Sequence, residues 1–257
     1  MKIVILGIGN MGSWLAKELS KENEIAIYDQ DKKKTAKVKN AKVLSELSEI
    51  KEFGPEMLVN AVSLQNTIEA FESTVKYTPE ECVICDVASI KKDLPGYYKK
   101  CGRKFASLHP MFGPTFANMD SLKEESLVII KESDGQAANF FRWFFGRLGL
   151  KLFEYTFKEH DNMMAYSLTT PFAASLVFAA CVDDTTVPGT TFARHRKLAK
   201  GLLSEDDHLL AEVLFNPESI GQLERITSRL EFLKHVIRDK DYDEARKFFD
   251  KLRKNIE

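Results

Sequence analysis

Residues 2–29 constrain the fold more than any other stretch of this chain. Lys2-Ile3-Val4-Ile5-Leu6 is a short, nearly continuous apolar run rich in β-branched residues. That is the pattern of a parallel strand buried on both faces. Gly7-Ile8-Gly9-Asn10-Met11-Gly12 follows at once, Ser13–Leu19 places Trp14, Leu15 and Leu19 at helical spacing, and Glu24–Tyr28 reads as a second strand ending in Asp29. Strand, G-x-G-x-x-G, helix, strand and acid within about 30 residues make up the dinucleotide-binding fingerprint. Gly7 permits the tight turn, Gly9 lets backbone approach a pyrophosphate, and Gly12 lets the helix pack close to the strand. Ile8, Asn10 and Met11 complete the cofactor-binding loop, at a helix N-terminus whose free N–H groups and positive dipole end favour an anion. Asp29 lies 22 positions after Gly7. An acid at that spacing accepts from the adenosine ribose 2′-OH and repels a 2′-phosphate, which selects NAD over NADP. Lys32-Lys33-Lys34 reads as the solvated start of a helix, the alternative being a 2′-phosphate contact.

Further βα units follow. Lys42–Leu44 is a short extended piece, Ser45–Glu52 an acidic helix start, and Met57–Val62 an apolar strand ending at Ser63. Asn66–Val75 is amphipathic. Glu81–Val87 is the next strand and carries Asp86, Ala88 and Ser89 to its C-terminal end. Phe105–Leu108 is another, followed by His109-Pro110-Met111-Phe112-Gly113-Pro114. Prolines lack an N–H and push the preceding residue toward extended geometry, so this segment is expected to be a rigid loop holding one imidazole. Ligands of doubly wound sheets bind outside the carboxyl ends of strands. Gly7–Gly12, Ser63, Ser89 and His109 are all expected at such ends. Ser126–Lys131 and Leu150–Thr156 read as two more strands around the helix Asp134–Leu148, whose four phenylalanines suit a core.

Beyond about Tyr155 the periods become helical. The expectation is an α/β, Rossmann-type doubly wound sheet over residues 1–156, followed by an all-helical dimerisation domain over 157–257. Pro171–Ala180 is small and apolar, as a tightly packed helix would be, and Asp183–Thr190 reads as a connection. Glu218–Asp239 carries Ile220, Leu223, Ile226, Leu230, Leu233 and Val236 on one face. The formal net charge of -1 supports neither nucleic-acid nor anionic-membrane binding. No unbroken apolar stretch reaches about 18 residues, and the N-terminus lacks the pattern of a signal peptide. Of the four cysteines, Cys82 and Cys85 lie together in an apolar strand and no second Cys/His pair completes a metal site. Buried, reduced cysteines in a cytoplasmic protein are expected.

Four motifs, in order, resemble the prephenate/arogenate dehydrogenase family of tyrosine biosynthesis. They are Gly7–Gly12; Asp86-Val87-Ala88-Ser89-Ile90-Lys91, similar to a D-x-x-S-x-K segment; His109-Pro110-Met111-Phe112-Gly113-Pro114, the most specific; and Glu159-His160-Asp161 at the start of the helical half. The resemblance implies NAD-dependent oxidative decarboxylation of prephenate, or of arogenate, in a homodimer. It implies that His109 accepts the proton of the ring hydroxyl and that Ser89 helps orient it. It places His160 near the substrate. The family also holds the ring carboxylate with a second-domain arginine; here Ala193 stands at that position in an ungapped comparison, which leaves Arg194 or Arg196. Among the residues themselves other readings stand: Ser89 as a helix cap, His160 in a helix-start network, and the two arginines as a solvated basic face. A different hydroxyacid or imine dehydrogenase and a non-catalytic nucleotide-sensing subunit are the competing functions.

Overall fold

The apolar runs pair into one sheet because each offers two hydrophobic faces and a full set of backbone donors and acceptors. A computed structural model describes residues 1–113, 122–183 and 187–256. Its strands are β1 (Lys2–Leu6), β2 (Glu24–Tyr28), β3 (Lys42–Val43), β4 (Met57–Asn60), β5 (Val83–Asp86), β6 (Phe105–Pro110), β7 (Ser126–Ile130) and β8 (Lys151–Tyr155). They lie in the order β3-β2-β1-β4-β5-β6-β7-β8. All neighbours are parallel except β6 and β7. The connection after β1 runs toward β2 and the connection after β4 runs toward β5, in opposite directions along the sheet. The crevice outside the ends of β1 and β4 is therefore the topological switch point where such sheets bind ligands.

Ile3–Leu6 and all of β4 are buried. Helix Asn10–Leu19 covers one face with Leu15, Ala16 and Leu19, and helix Gly135–Arg147 adds Phe141, Phe144 and Phe145 to the same core. Asp134 starts the latter helix by accepting from the N–H groups of Gln136 and Ala137. Trp143 faces outward under the Arg147 guanidinium, 4.4 Å from its ring centre. The acidic stretch expected to start a helix at Ser45 becomes helical only over Glu49–Phe53, because the Glu49 carboxylate accepts from the N–H groups of Ser45 and Glu46 in a preceding turn.

His109 and Pro110 correct the expectation of a loop: both belong to β6. Pairing with β5 runs only through Ser107, and beyond it β6 is held by β7 alone, His109 opposite Val128 and Pro110 opposite Leu127. A proline without an N–H is tolerated where one side of the strand is unpaired. The next donor, Met111 N–H, resumes the ladder on the Ser126 carbonyl at 2.9 Å. Pro114 lies outside the described residues.

The chain divides into two compact units, Met1–Asp161 and Asn162–Glu257, the division falling inside helix Phe157–Ala180. The second unit continues with helices Thr190–Leu202, Asp207–Leu214, Ser219–Asp239 and Tyr242–Lys254. Part of the expected Asp183–Thr190 connection lies outside the described residues. Asp206 and Asp241 cap two of these helices, and a buried Thr169–Ser219 hydroxyl pair at 2.7 Å fixes another contact. Of the stripe expected on Ser219–Asp239 only Val236 is buried, while Ile220, Leu223 and Leu230 are exposed. Helix Phe157–Ala180, at 24 residues, is long and apolar enough to cross a membrane by length and composition, a test that a core helix also passes. A search for unbroken apolar runs misses it because Ser167, Thr169 and Thr170 interrupt the run without adding charge. The cysteines are free, but only Cys82 and Cys85 are buried, with Cys101 half-buried and Cys181 exposed.

Candidate active site

The glycine loop is shaped by contacts that only glycine permits. Gly7 has φ +81°, and a Cβ there would stand 2.6 Å from the backbone of Val62. A Cβ on Gly12 would stand 1.9 Å from the carbonyl oxygen of Gly7. At Gly9, by contrast, nothing lies within 4 Å of the Cβ position. Gly9 is the N-cap of helix Asn10–Leu19, with no side-chain cap and no acid in the first turn. Four other helices, Lys32–Thr35, Gly135–Arg147, Asp207–Leu214 and Tyr242–Lys254, have an Asp cap. The helix behind the glycine loop therefore presents a positive dipole end with neither a capping side chain nor a Cβ contact at Gly9, as an anion site requires. Ile8 is buried, Met11 is half-buried against the core, and Asn10 is exposed.

Asp29 ends β2 beside this loop. Its Oδ2 accepts from Ile8 N–H at 2.7 Å and its Oδ1 from Asp31 N–H at 2.8 Å, while Lys34 Nζ stands 4.0 Å away. The carboxylate thus braces the loop, and its remaining lone pairs can still accept from a hydroxyl. Ser63 follows β4, exposed, and its Oγ accepts from Asn66 Nδ2 at 3.0 Å. Ser89 is half-buried in the loop after β5. It is not a helix cap, since the following helix Leu94–Cys101 begins after Asp93. The loop of Gly7–Gly12, Ser63 and Ser89 follow β1, β4 and β5, which are adjacent in the sheet.

The histidines meet. His109 on β6 and His160 in the first turn of helix Phe157–Ala180 are both buried, with His109 Nδ1 3.0 Å from His160 Nε2. His160 Nδ1 lies 3.1 Å from Asp161 Oδ1. A carboxylate can only accept, so His160 carries its proton on Nδ1 and offers a bare Nε2. His109 then donates from Nδ1, which leaves the lone pair of a neutral imidazole on His109 Nε2. Burial, the neighbouring His160 and the Lys91 charge hold the His109 pKa well below its ordinary value. Burial also lowers His160, against the pull of Asp161. Both rings are therefore neutral near pH 7, and the arrangement is a base whose tautomer is set by two residues behind it.

Sequence reasoning quoted Asp86 and Lys91 but gave them no role. Both are fully buried. Lys91 Nζ donates to Asp86 Oδ1 at 2.5 Å and to the Leu108 carbonyl at 2.6 Å. Asp86 also accepts from Tyr98 Oη at 2.7 Å and from Ala88 N–H at 3.0 Å. Removing one partner of a buried pair like this typically costs about 3–5 kcal/mol. Their separation of five positions, strand end to loop, was the available signal. Asp161 was likewise visible only as part of a motif. Arg194 and Arg196 are exposed on helix Thr190–Leu202 of the second unit. Among the described residues no group of three or more His, Cys, Asp or Glu side chains could hold a metal ion.

Residues 15–141 match the family model described as prephenate dehydrogenase, nucleotide-binding domain, a span that contains Ser89 and His109. Arogenate dehydrogenase 1, chloroplastic, of Arabidopsis thaliana is 25% identical over 248 residues, 91% of this chain and 39% of that protein. The T-protein of Enterobacter agglomerans is 24% identical over 153 residues, 55% of this chain and 39% of that protein. The chain thus spans about two-fifths of the length of these relatives. Among solved structures, prephenate dehydrogenase from A. aeolicus in complex with hydroxyphenyl propionate and NAD+ superposes with a TM-score of 0.84 at 19% identity, covering 100% of this chain and 98% of that one. Synechocystis arogenate dehydrogenase does so with 0.78 at 16% identity, covering 99% and 98%. These structures share the two-part fold, a Rossmann-type sheet followed by helices. Residues 15–141 thus carry the nucleotide-binding domain of the prephenate dehydrogenase family, and the chain is similar in sequence to an arogenate dehydrogenase and a T-protein and in fold to prephenate and arogenate dehydrogenases.

Proposed function

We propose that the protein is an NAD-dependent prephenate dehydrogenase, which oxidatively decarboxylates prephenate to 4-hydroxyphenylpyruvate, and that His109 is its base. The observation that carries this reading is the Asp161–His160–His109 chain. It leaves a neutral imidazole with its lone pair on Nε2, on the strand that follows the sheet's switch point. The glycine loop fits a dinucleotide: an uncapped helix N-terminus stands behind the pyrophosphate position, and the cradle at Gly9 is open. Gly7, Ile8, Gly9, Asn10, Met11 and Gly12 would hold the pyrophosphate and Asp29 the ribose, with Ser63 beside them. NAD, when bound, supplies the hydride acceptor.

The chain's own residues do the rest. An alcohol does not ionise at pH 7, so its proton must leave as the carbon is oxidised, and His109 Nε2 takes it. General-base help of this kind is worth about 10²–10⁴-fold in rate. As His109 becomes cationic, its Nδ1–H bond to His160 strengthens, and Asp161 supports His160 in turn. Ser89 orients the hydroxyl. Arg194 or Arg196, Arg194 first as the nearer to Ala193 in the chain, would clamp the ring carboxylate, since a paired guanidinium–carboxylate contact fixes ring orientation. The same groups suit arogenate, whose side chain carries an amine, and that is the second reading, supported by the Arabidopsis relative. Exposed Ile220, Phe215, Ile237 and Leu198 in the helical unit support a homodimer formed through it.

The test is NADH formation by the purified chain with prephenate and then arogenate, beside His109→Asn. Turnover with prephenate is expected. In the variant, kcat should fall by about 10²–10⁴-fold with little change in KM. A variant as fast as the parent would remove His109 from the chemistry, and turnover with arogenate alone would change the substrate and keep the base.

A further inference from the structure

Beneath His109 lies a charged pair that the proposed chemistry does not itself consume. Lys91 and Asp86 are both without solvent exposure and 2.5 Å apart. Such pairs are poor stabilising devices, since well-packed apolar residues of the same volume often serve as well. Their placement suggests another use. Lys91 spends one donor on Asp86 and another on the carbonyl of Leu108, the residue immediately before His109. Asp86 is held from the other side by Tyr98 on helix Leu94–Cys101 and by Ala88 N–H. The ammonium group therefore has little freedom, and it is tied to the backbone of the strand that carries the base.

We propose that Lys91, fixed by Asp86 and Tyr98, is a positioning residue for His109: it pins the Leu108 carbonyl, on the backbone that carries the base, and sets an ammonium group behind the imidazole pair. The charged and titratable groups around the pair come from every neighbouring element. His160 and Asp161 lie on helix Phe157–Ala180, Asp86 on β5 and Lys91 in the loop after it. Asp161 and Asp86 favour protonation of His160, and Lys91 opposes it at both rings. At His109 the opposition of Lys91 adds to that of His160 and to burial. An imidazole of lowered pKa is a weaker base but remains unprotonated and available, and it gives its proton back readily once the product has formed. The catalytic meaning of this arrangement rests on the proposed function, but the charge state of His109 does not.

The test uses the full chain with labelled histidine and lysine side chains, read by NMR, together with the pH profile of kcat. In Asp86→Asn/Lys91→Met the pair is removed without stranding a charge. The His109 titration midpoint should rise by about one pH unit, a tenfold change in protonated fraction. The acid limb of kcat should move with it, and Lys91→Arg should keep the low midpoint. An unchanged midpoint in the folded double variant would overturn the proposal. A second reading needs no variant: in the parent chain the Lys91 ammonium must stay protonated throughout the His109 titration, and a neutral amine there would overturn the proposal equally. If neither prephenate nor arogenate is turned over, the proposed function fails, while the NMR midpoints still decide the role of Lys91.

Discussion

Gly12 and Gly96 provide a matched test of how tertiary contact overrides local preference. Each is the third residue of a helix, Asn10–Leu19 and Leu94–Cys101 respectively. Helix propensity alone favours Ala over Gly by up to about 1 kcal/mol at either position. The surroundings differ. At Gly96 nothing lies within 4 Å of a Cβ, so Gly96→Ala should stabilise by about 0.5–1 kcal/mol. At Gly12 the Cβ would be 1.9 Å from the Gly7 carbonyl oxygen, where an ordinary carbon–oxygen contact is about 3.3 Å or longer. The helix must retreat by more than about 1 Å, and Gly7 cannot yield because its own φ of +81° and its contact with Val62 fix the turn. Retreat pulls Leu15, Ala16 and Leu19 away from the sheet and opens voids in a close-packed core. Overpacking plus partial loss of those contacts costs about 2–4 kcal/mol, which exceeds the propensity gain. Urea unfolding of both variants measures the two signs, and titration with NADH should show binding lost only in Gly12→Ala. A Gly12→Ala protein as stable as the parent would refute the steric argument.

Other outcomes follow from the same geometry. His109 and His160 have native pKa values below their ordinary 6.5. The unfolded chain therefore binds more protons between the native pKa values and about 6.5, so stability is fully present above that window and lost as pH falls through it. The limiting slope is about 1.4 kcal/mol per pH unit for each ring. Comparing urea unfolding of the parent and His109→Asn across that range isolates one ring, and parallel curves would contradict the burial of a neutral His109. Asp29→Ala removes the acceptor of Ile8 N–H and with it the proposed ribose contact, so NADH should bind at least about tenfold more weakly and its advantage over NADPH should vanish; equal titrations would assign Asp29 to bracing alone. Ser107 Oγ is buried with no hydrogen-bond partner among the described residues, so Ser107→Ala should be neutral or stabilising by up to about 1 kcal/mol in thermal unfolding. A loss greater than that would reveal a partner for the hydroxyl.

The sequence by itself determined what depends on neighbours along the chain. The glycine loop, the strand before it and the helix after it are legible because backbone sterics and apolar period act within a few residues. The phenylalanines of helix Gly135–Arg147 and the helical character of the second half were readable for the same reason. Tertiary structure alone decided which distant groups meet. His109 and His160 are 51 positions apart, and only the folding of Phe157–Asp161 beside the end of β6 makes one the orienting partner of the other. Pro110 argued locally for a loop, yet the antiparallel pairing with β7 holds it in a strand that has lost its β5 neighbour. Lys91 and Asp86 were legible in sequence only as part of a motif, with nothing that marked them as a buried pair. Their burial follows from the strand order, which sets β5 beside β6 and so brings an ammonium group to the Leu108 carbonyl. A charge's energy depends on its distance from other charges and from water, and neither distance is written in the order of residues.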